Sequence, residues 1–327
     1  MSSRILKSAL PVLSALSVLS AALVMFSVSS AAPLDSGIVS ASLARGKQVR
    51  TADPIKRGLS RSEFPRTVKI SDNVYGYEDF HSAGMVTVTL FVVGNDGVLI
   101  ADGQGSPAAT QKLLDAIAKV TPKPVKWYIV GSDHGDHTAG NSVLPKDITY
   151  IVTPAGKAAL ERMKNAVVPP VAMTGDRQTI NIGGMEVQAI FAGRAHTGGD
   201  LLVYLPRQKL LFMSEVYLNR VFPAMRSAYP TEWVAVIDKA LAMDVNHFIP
   251  GHGFIEEPRA SREELIEYQK AMRAVIAEVN RLHKLGLPAA EAAKQANWGP
   301  YKDWYLAEQQ GPIAVRKVYE EIEGKLK

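Results

Sequence analysis

An apolar run, Val125-Lys126-Trp127-Tyr128-Ile129-Val130, breaks off into Gly131-Ser132-Asp133-His134-Gly135-Asp136-His137-Thr138-Ala139-Gly140-Asn141. The run reads as a largely buried strand, and the glycines that follow turn the chain sharply at its end. Side chains on such a bend can converge, whereas those along a straight strand alternate between its faces. This bend carries two imidazoles and a carboxylate between His134 and His137. In a chain without cysteine, that is the donor set zinc prefers.

Two later histidines repeat the setting. His196 lies in Gly193-Arg194-Ala195-His196-Thr197-Gly198-Gly199-Asp200, after the apolar Val187–Phe191. His252 lies in Ile249-Pro250-Gly251-His252-Gly253, after His247–Pro250. Layered α/β scaffolds gather functional residues at such strand ends. The other histidines, His81, His247 and His283, lack this setting and read as packing or surface residues.

On these motifs, in this order over roughly residues 70 to 255, the chain resembles the metallo-β-lactamase-fold superfamily. That pattern runs His-x-His-x-Asp-His, a lone His in a Thr-x-Gly turn, an acidic or sulfur residue after a strand, and a His in a Pro-Gly-His-Gly-like turn. The resemblance implies an αββα four-layer sandwich with metals at one edge, here with a helical C-terminal extension. It implies that His134, Asp136, His137, His196 and His252 are metal ligands, with Asp136 also the catalytic carboxylate that orients the nucleophile. Ser132 stands where the pattern has its first histidine, and a neutral hydroxyl is a poor zinc ligand. One site then keeps only His134 and His196, with Ser132 a weak or water-mediated partner. The other is whole, so the expectation is one tightly bound zinc and a second weak or absent. Glu215 falls where many relatives carry a bridging Asp. Bridging, binding one metal, holding an outer water and a bland surface position all stay open for it.

The remaining chain sets limits. At 327 residues and 47% hydrophobic it can bury a large core. Its net charge of +5 is spread without a Lys/Arg tract, which argues against nucleic acid as the main partner. Arg4 and Lys7 precede an uncharged Ser8–Ala32 stretch ending in small residues, the layout of a signal peptide cleaved near Ala32. The expected destination is the periplasm or beyond, with no stable membrane insertion after cleavage. An uncleaved anchor is the alternative.

The expected organisation is a leader over 1–32, an exposed extension over 33–67, the metallo-β-lactamase-like domain over 68–257 and a helical region over 258–327 packing on it. Met85–Val93 and Val98–Ala101 form a hairpin through Gly94-Asn95-Asp96-Gly97. Ser106-Pro107 opens a helix whose stripe is Leu113, Leu114, Ile117 and Ala118. Ser261-Arg262-Glu263-Glu264 reads as a capping box for a long helix, and Pro312–Lys325 as the last helix. The function expected is an exported zinc-dependent hydrolase that directs a metal-bound hydroxide at a small amide, lactam, lactone or ester, with β-lactams among the candidates. Tyr217, Arg220 and Arg226 are candidate substrate contacts on the loop after Glu215. The alternatives are a mononuclear-iron oxidoreductase on the same fold and a non-catalytic auxiliary exported protein.

Overall fold

Two sheets account for the strands. The structure, a computed structural model, describes residues 38–40 (backbone only), 49–80 and 84–326. The leader and His81 lie outside the described residues. The first sheet has seven strands in chain order: β1 (Ile38–Ser40), β2 (Arg66–Ser71), β3 (Val74–Phe80), β4 (Val86–Val93), β5 (Val98–Ala101), β6 (Val125–Ile129) and β7 (Thr149–Ile151). Strands β2 to β5 are an antiparallel meander, and β6 and β7 add in parallel. The crossover into β6 is α1 (Pro107–Val120), and a short turn, α2 (Gly135–Thr138), lies between β6 and β7. After α3 (Pro154–Arg162) comes the second sheet: β8 (Arg177–Asn181), β9 (Glu186–Ile190), β10 (Leu202–Leu205), β11 (Leu210–Phe212) and β12 (His247–Ile249). It is antiparallel until α4 (Pro230–Ala242) carries the chain back to a parallel β12. Helices α5 (Pro258–Lys284), α6 (Ala289–Gln295) and α7 (Ala307–Ile322) complete the chain.

The alternation in β4 shows why the layers stack. Val86, Val88, Leu90 and Val92 join Val187, Val203, Leu210 and Phe212 of the second sheet in the core between the sheets. Phe91 and Val93 point the other way, onto Leu113 and Ile117 of α1. All eight residues are buried, as expected of a strand covered on both faces. On the far side, Trp233 and Ile237 of α4 pack with Leu211, Phe248 and the α5 residues Leu265, Tyr268, Met272 and Val275. Helix, sheet, sheet and helix follow in that order, with the C-terminal helices on the second sheet. Among the described residues no helix is long and apolar enough to cross a membrane.

Four local expectations need correction. In α1 the buried stripe is Thr110, Leu113 and Ile117, whereas Ala118 is exposed. Helix α5 starts at Pro258, not at Ser261. Ser261 sits inside its first turns, donates to the Pro258 carbonyl and accepts from the Phe248 amide, so it locks α5 onto β12. Helix α7 starts at Ala307 and contains Pro312. The stretch over 33–67 is also less exposed than expected: β1 pairs with β2, β2 begins at Arg66, and Ala52, Arg57 and Leu59 are buried.

Candidate metal centre

Three turns meet at one edge of the sandwich, and glycines let them approach. A Cβ on Gly131 would lie 2.7 Å from Ser214 Cβ, and one on Gly251 would lie 2.4 Å from the Ser214 carbonyl carbon. Ser214 itself has a left-handed φ of 46°, so the Ser214–Val216 turn wedges between the other two. Asp102, fully buried after β5, ties the first two of them, at Gly131 and Ser214, together. It accepts from the Gly131 amide at 2.7 Å, the Ser132 amide at 3.3 Å and the Ser214 hydroxyl. The Trp233 indole donates to the Val216 carbonyl at 2.8 Å and anchors this turn to α4.

These three turns and the one carrying His196 bring the five expected ligand residues together with Glu215, in two groups that share that carboxylate. In the aspartate-side group, His137 Nε2 and His252 Nε2 lie 3.2 Å apart. Asp136 Oδ2 is 3.1 Å from His252 Nε2 and 3.7 Å from His137 Nε2. Glu215 Oε1 is 3.3 and 3.8 Å from the same two nitrogens. In the serine-side group, His134 Nδ1 and His196 Nε2 are 3.1 Å apart, and Glu215 Oε2 lies 2.9 and 3.2 Å from them. Ser132, fully buried, donates its hydroxyl to that same oxygen at 2.6 Å. Glu215 is 4% exposed, which removes the surface reading for it.

The donors are set up to face a cation. His252 Nδ1 is 3.1 Å from the Val86 carbonyl, which can only accept, so the neutral ring turns a bare Nε2 inward. His137 Nδ1 sits 3.1 Å from Asp102 Oδ2, off ideal hydrogen-bond geometry but close enough for the carboxylate to favour a ring proton on that side. Two lone pairs and two carboxylate oxygens then converge. Zinc–ligand bonds of about 2.0–2.1 Å place tetrahedral corners about 3.4 Å apart, close to the spacings of this group. The donor set therefore fits zinc.

The electrostatics of the site favour positive charge as well. Burial lowers the pKa of His252, but hydrogen bonds and charge from Asp136 and Glu215 outweigh it and raise it to about 10. Burial likewise opposes His134, which Glu215 lifts to about 9. Burial and the Glu215 charge raise the Asp136 pKa, yet His137 and His252 bring it below the usual carboxylate range. Burial also raises Glu215, and the surrounding imidazoles pull it well down. His196 alone among the four imidazoles goes down, because burial dominates.

The expected substrate contacts fare differently. Tyr217 is fully buried against Tyr268, away from solvent. Arg220 pairs with Glu264, which also holds Arg50, and stacks over Trp304. Both are held within the fold, because the first part of the loop after β11 packs against α5, and only its far end, at Ser227, returns to the centre. Arg226 is exposed, next to Ser227, whose hydroxyl is 3.1 Å from His134 Nε2. His247 Nε2 meets the Glu256 carbonyl and His283 packs on Tyr319, as ordinary packing residues would. Asp102 and Ser227 were not singled out in the sequence. The Asp102-Gly103 step after a strand was the one signal for the former, and the latter had none.

No family model matches the sequence. The chain is 26% identical over 169 residues to subunit alpha of 2,4-dinitroanisole O-demethylase from Nocardioides sp. (strain JS1661), covering 50% of this chain and 52% of that protein. It is 24% identical over 162 residues to the type 2 metallo-β-lactamase of Bacillus cereus, covering 48% of this chain and 63% of that protein. A linear primary-alkylsulfatase from Pseudomonas sp. (strain ATCC 19151) is 23% identical over 286 residues, covering 69% and 53%. The chain thus spans about half to three-fifths of the length of these relatives. Among solved structures, a metallo-β-lactamase from Pontibacter korlensis superposes with a TM-score of 0.56 at 21% identity, covering 63% of this chain and 98% of that one. With its two sheets, outer helices and these likenesses, the chain has the metallo-β-lactamase fold.

Proposed function

We propose that this chain is an exported, metal-dependent hydrolase of a small molecule bearing an amide, lactam, lactone or ester bond. The single observation that carries the reading is the convergence of Asp136, His137, Glu215 and His252 donor atoms at 3.1–3.8 Å. Asp136, His137 and His252 hold the cation more tightly, and His134 and His196 hold a weaker second one. When bound, zinc supplies a Lewis acid that acidifies water and polarises the bond under attack. Asp136, partly exposed among buried histidines, orients the attacking water. Burial of His137, His196 and His252 excludes bulk water from the back of the centre and strengthens its electrostatics. Arg226, exposed beside Ser227, is the remaining candidate to pair with a substrate anion. The names of the relatives support hydrolysis and widen the substrate classes to include sulfate esters. The Arg4–Ala32 leader pattern supports export.

One observation favours a second reading. His134, His196 and Glu215 form a two-histidine, one-carboxylate set, which also suits non-haem iron and oxidation chemistry. Metal analysis after native purification separates the two, with zinc expected for the hydrolase and iron for its rival.

The test is a zinc-loaded panel of a chromogenic cephalosporin, an aryl ester, a lactone and an alkyl sulfate, run with wild type and Asp136→Ala. At least one substrate is expected to turn over, with the variant at least about 100-fold slower. No turnover of any class, or an unaffected Asp136→Ala, contradicts the hydrolase reading.

A further inference from the structure

Ser132 and Glu215 depart from the expected pattern at two separate places in the chain, yet they touch. The Ser132 hydroxyl has its proton committed to Glu215 Oε2 at 2.6 Å and accepts the His134 amide at 3.3 Å. Their two turns are also fastened to one group, since Asp102 accepts from both the Ser132 amide and the Ser214 hydroxyl. Glu215 Oε2 lies 2.9 Å from His134 Nδ1 and 3.2 Å from His196 Nε2, so it stands third beside those two nitrogens.

Neither residue suits the other's conventional partner. An aspartate at 215 would end one methylene, about 1.5 Å, short of this place. The backbone has little freedom to make up the difference, because the Val216, Tyr217 and Gly251 amides all bond within or onto the Ser214 turn. A histidine at 132 would need the space that the Glu215 carboxylate fills, in a position with no solvent exposure.

Resting on the metal-binding reading above, we infer that Ser132 and Glu215 are one coupled exchange. Glu215 supplies the donor that a histidine at 132 would have given, and Ser132 is a positioning residue that aims it. The serine-side group is then a complete three-donor set, and one carboxylate closes both groups, Oε2 on one side and Oε1 on the other. A carboxylate oxygen is a far better donor for a divalent cation than a hydroxyl. The second equivalent, though weaker than the first, is therefore held by three protein donors rather than two.

Zinc titration of the metal-free full chain against a competing chromophoric chelator tests this. Wild type is expected to take two equivalents. Ser132→Ala deletes one oxygen without a clash, so it should weaken one equivalent by about 10–100-fold and leave the other unchanged. The thermal unfolding midpoint of its metal-free form should fall by only a few degrees, as expected for losing the Ser132 hydrogen bonds from a fold that otherwise stays intact. Glu215→Asp is expected to lose one equivalent, and Ser132→His should not improve on wild type. The double variant Ser132→His/Glu215→Asp should recover both equivalents. The inference is overturned if Ser132→Ala binds both as wild type does, if Glu215→Asp alone keeps two, or if wild type takes only one. A wild type that takes no zinc instead overturns the metal reading underneath it.

Discussion

The two halves of the centre have comparable donors but unequal support. On the aspartate side, His137 and His252 are buried, His252 is fixed by the Val86 carbonyl, and His137 is backed by Asp102. The His137 carbonyl is also held, by the Gly103 amide at 2.8 Å and the Tyr128 hydroxyl at 2.9 Å. On the serine side, the His134 side chain is 13% exposed and its outer nitrogen meets the Ser227 hydroxyl. His196 Nδ1 finds no hydrogen-bond partner among the described residues. The partner on the far side of a ring sets its tautomer and aim, so equal donors need not hold a cation equally. The aspartate side should bind first and the serine side second.

Titration of metal affinity against pH sharpens this contrast most. In the metal-free protein His252 is raised to about 10 and His134 to about 9, from 6.5. A raised imidazole pKa stabilises the metal-free fold fully below the unfolded value of 6.5, and that contribution fades as pH rises through 9 and 10. A cation must displace these protons, so its affinity moves the other way. It is expected to rise about tenfold per pH unit for each proton displaced. The serine-side rise should level off near pH 9 and the aspartate-side rise near pH 10. Chelator competition across this range checks it, and an affinity that is flat with pH breaks the contrast.

Asp102→Asn is expected to act more weakly, at about 10–100-fold in zinc affinity, because the carboxylate works through its neighbours. It keeps the side chain's size but removes the charge facing His137 Nδ1. The same titration reads it, and the aspartate-side equivalent should suffer more. A variant with wild-type affinity on that side would show that the support described for His137 has no consequence.

How much of this could be read beforehand depended on how local each signal was. The histidine turns were legible because short apolar runs and glycines mark strand ends, and their order carried the resemblance to a fold. The hairpin at Gly94–Gly97 and the start of α1 at Ser106-Pro107 came from turn and cap chemistry, and the Ser106 side chain does accept from the Ala109 amide. Ser261 misled because Ser-x-x-Glu spacing also fits a helix interior, where a serine can bond its own preceding turn. Pro258 was the stronger start signal. Tyr217 and Arg220 misled because a loop after a strand need not face the solvent. The meeting of Ser132 with Glu215 was beyond local reading, since 83 residues separate them and only the packing of three turns brings them together.

Diffraction from zinc-soaked crystals at energies on either side of the zinc edge tests the central claim most directly. The account predicts an anomalous peak enclosed by Asp136, His137, Glu215 and His252, and a second beside His134 and His196 on the opposite oxygen of Glu215. Crystals that show no peak within reach of these side chains would contradict it.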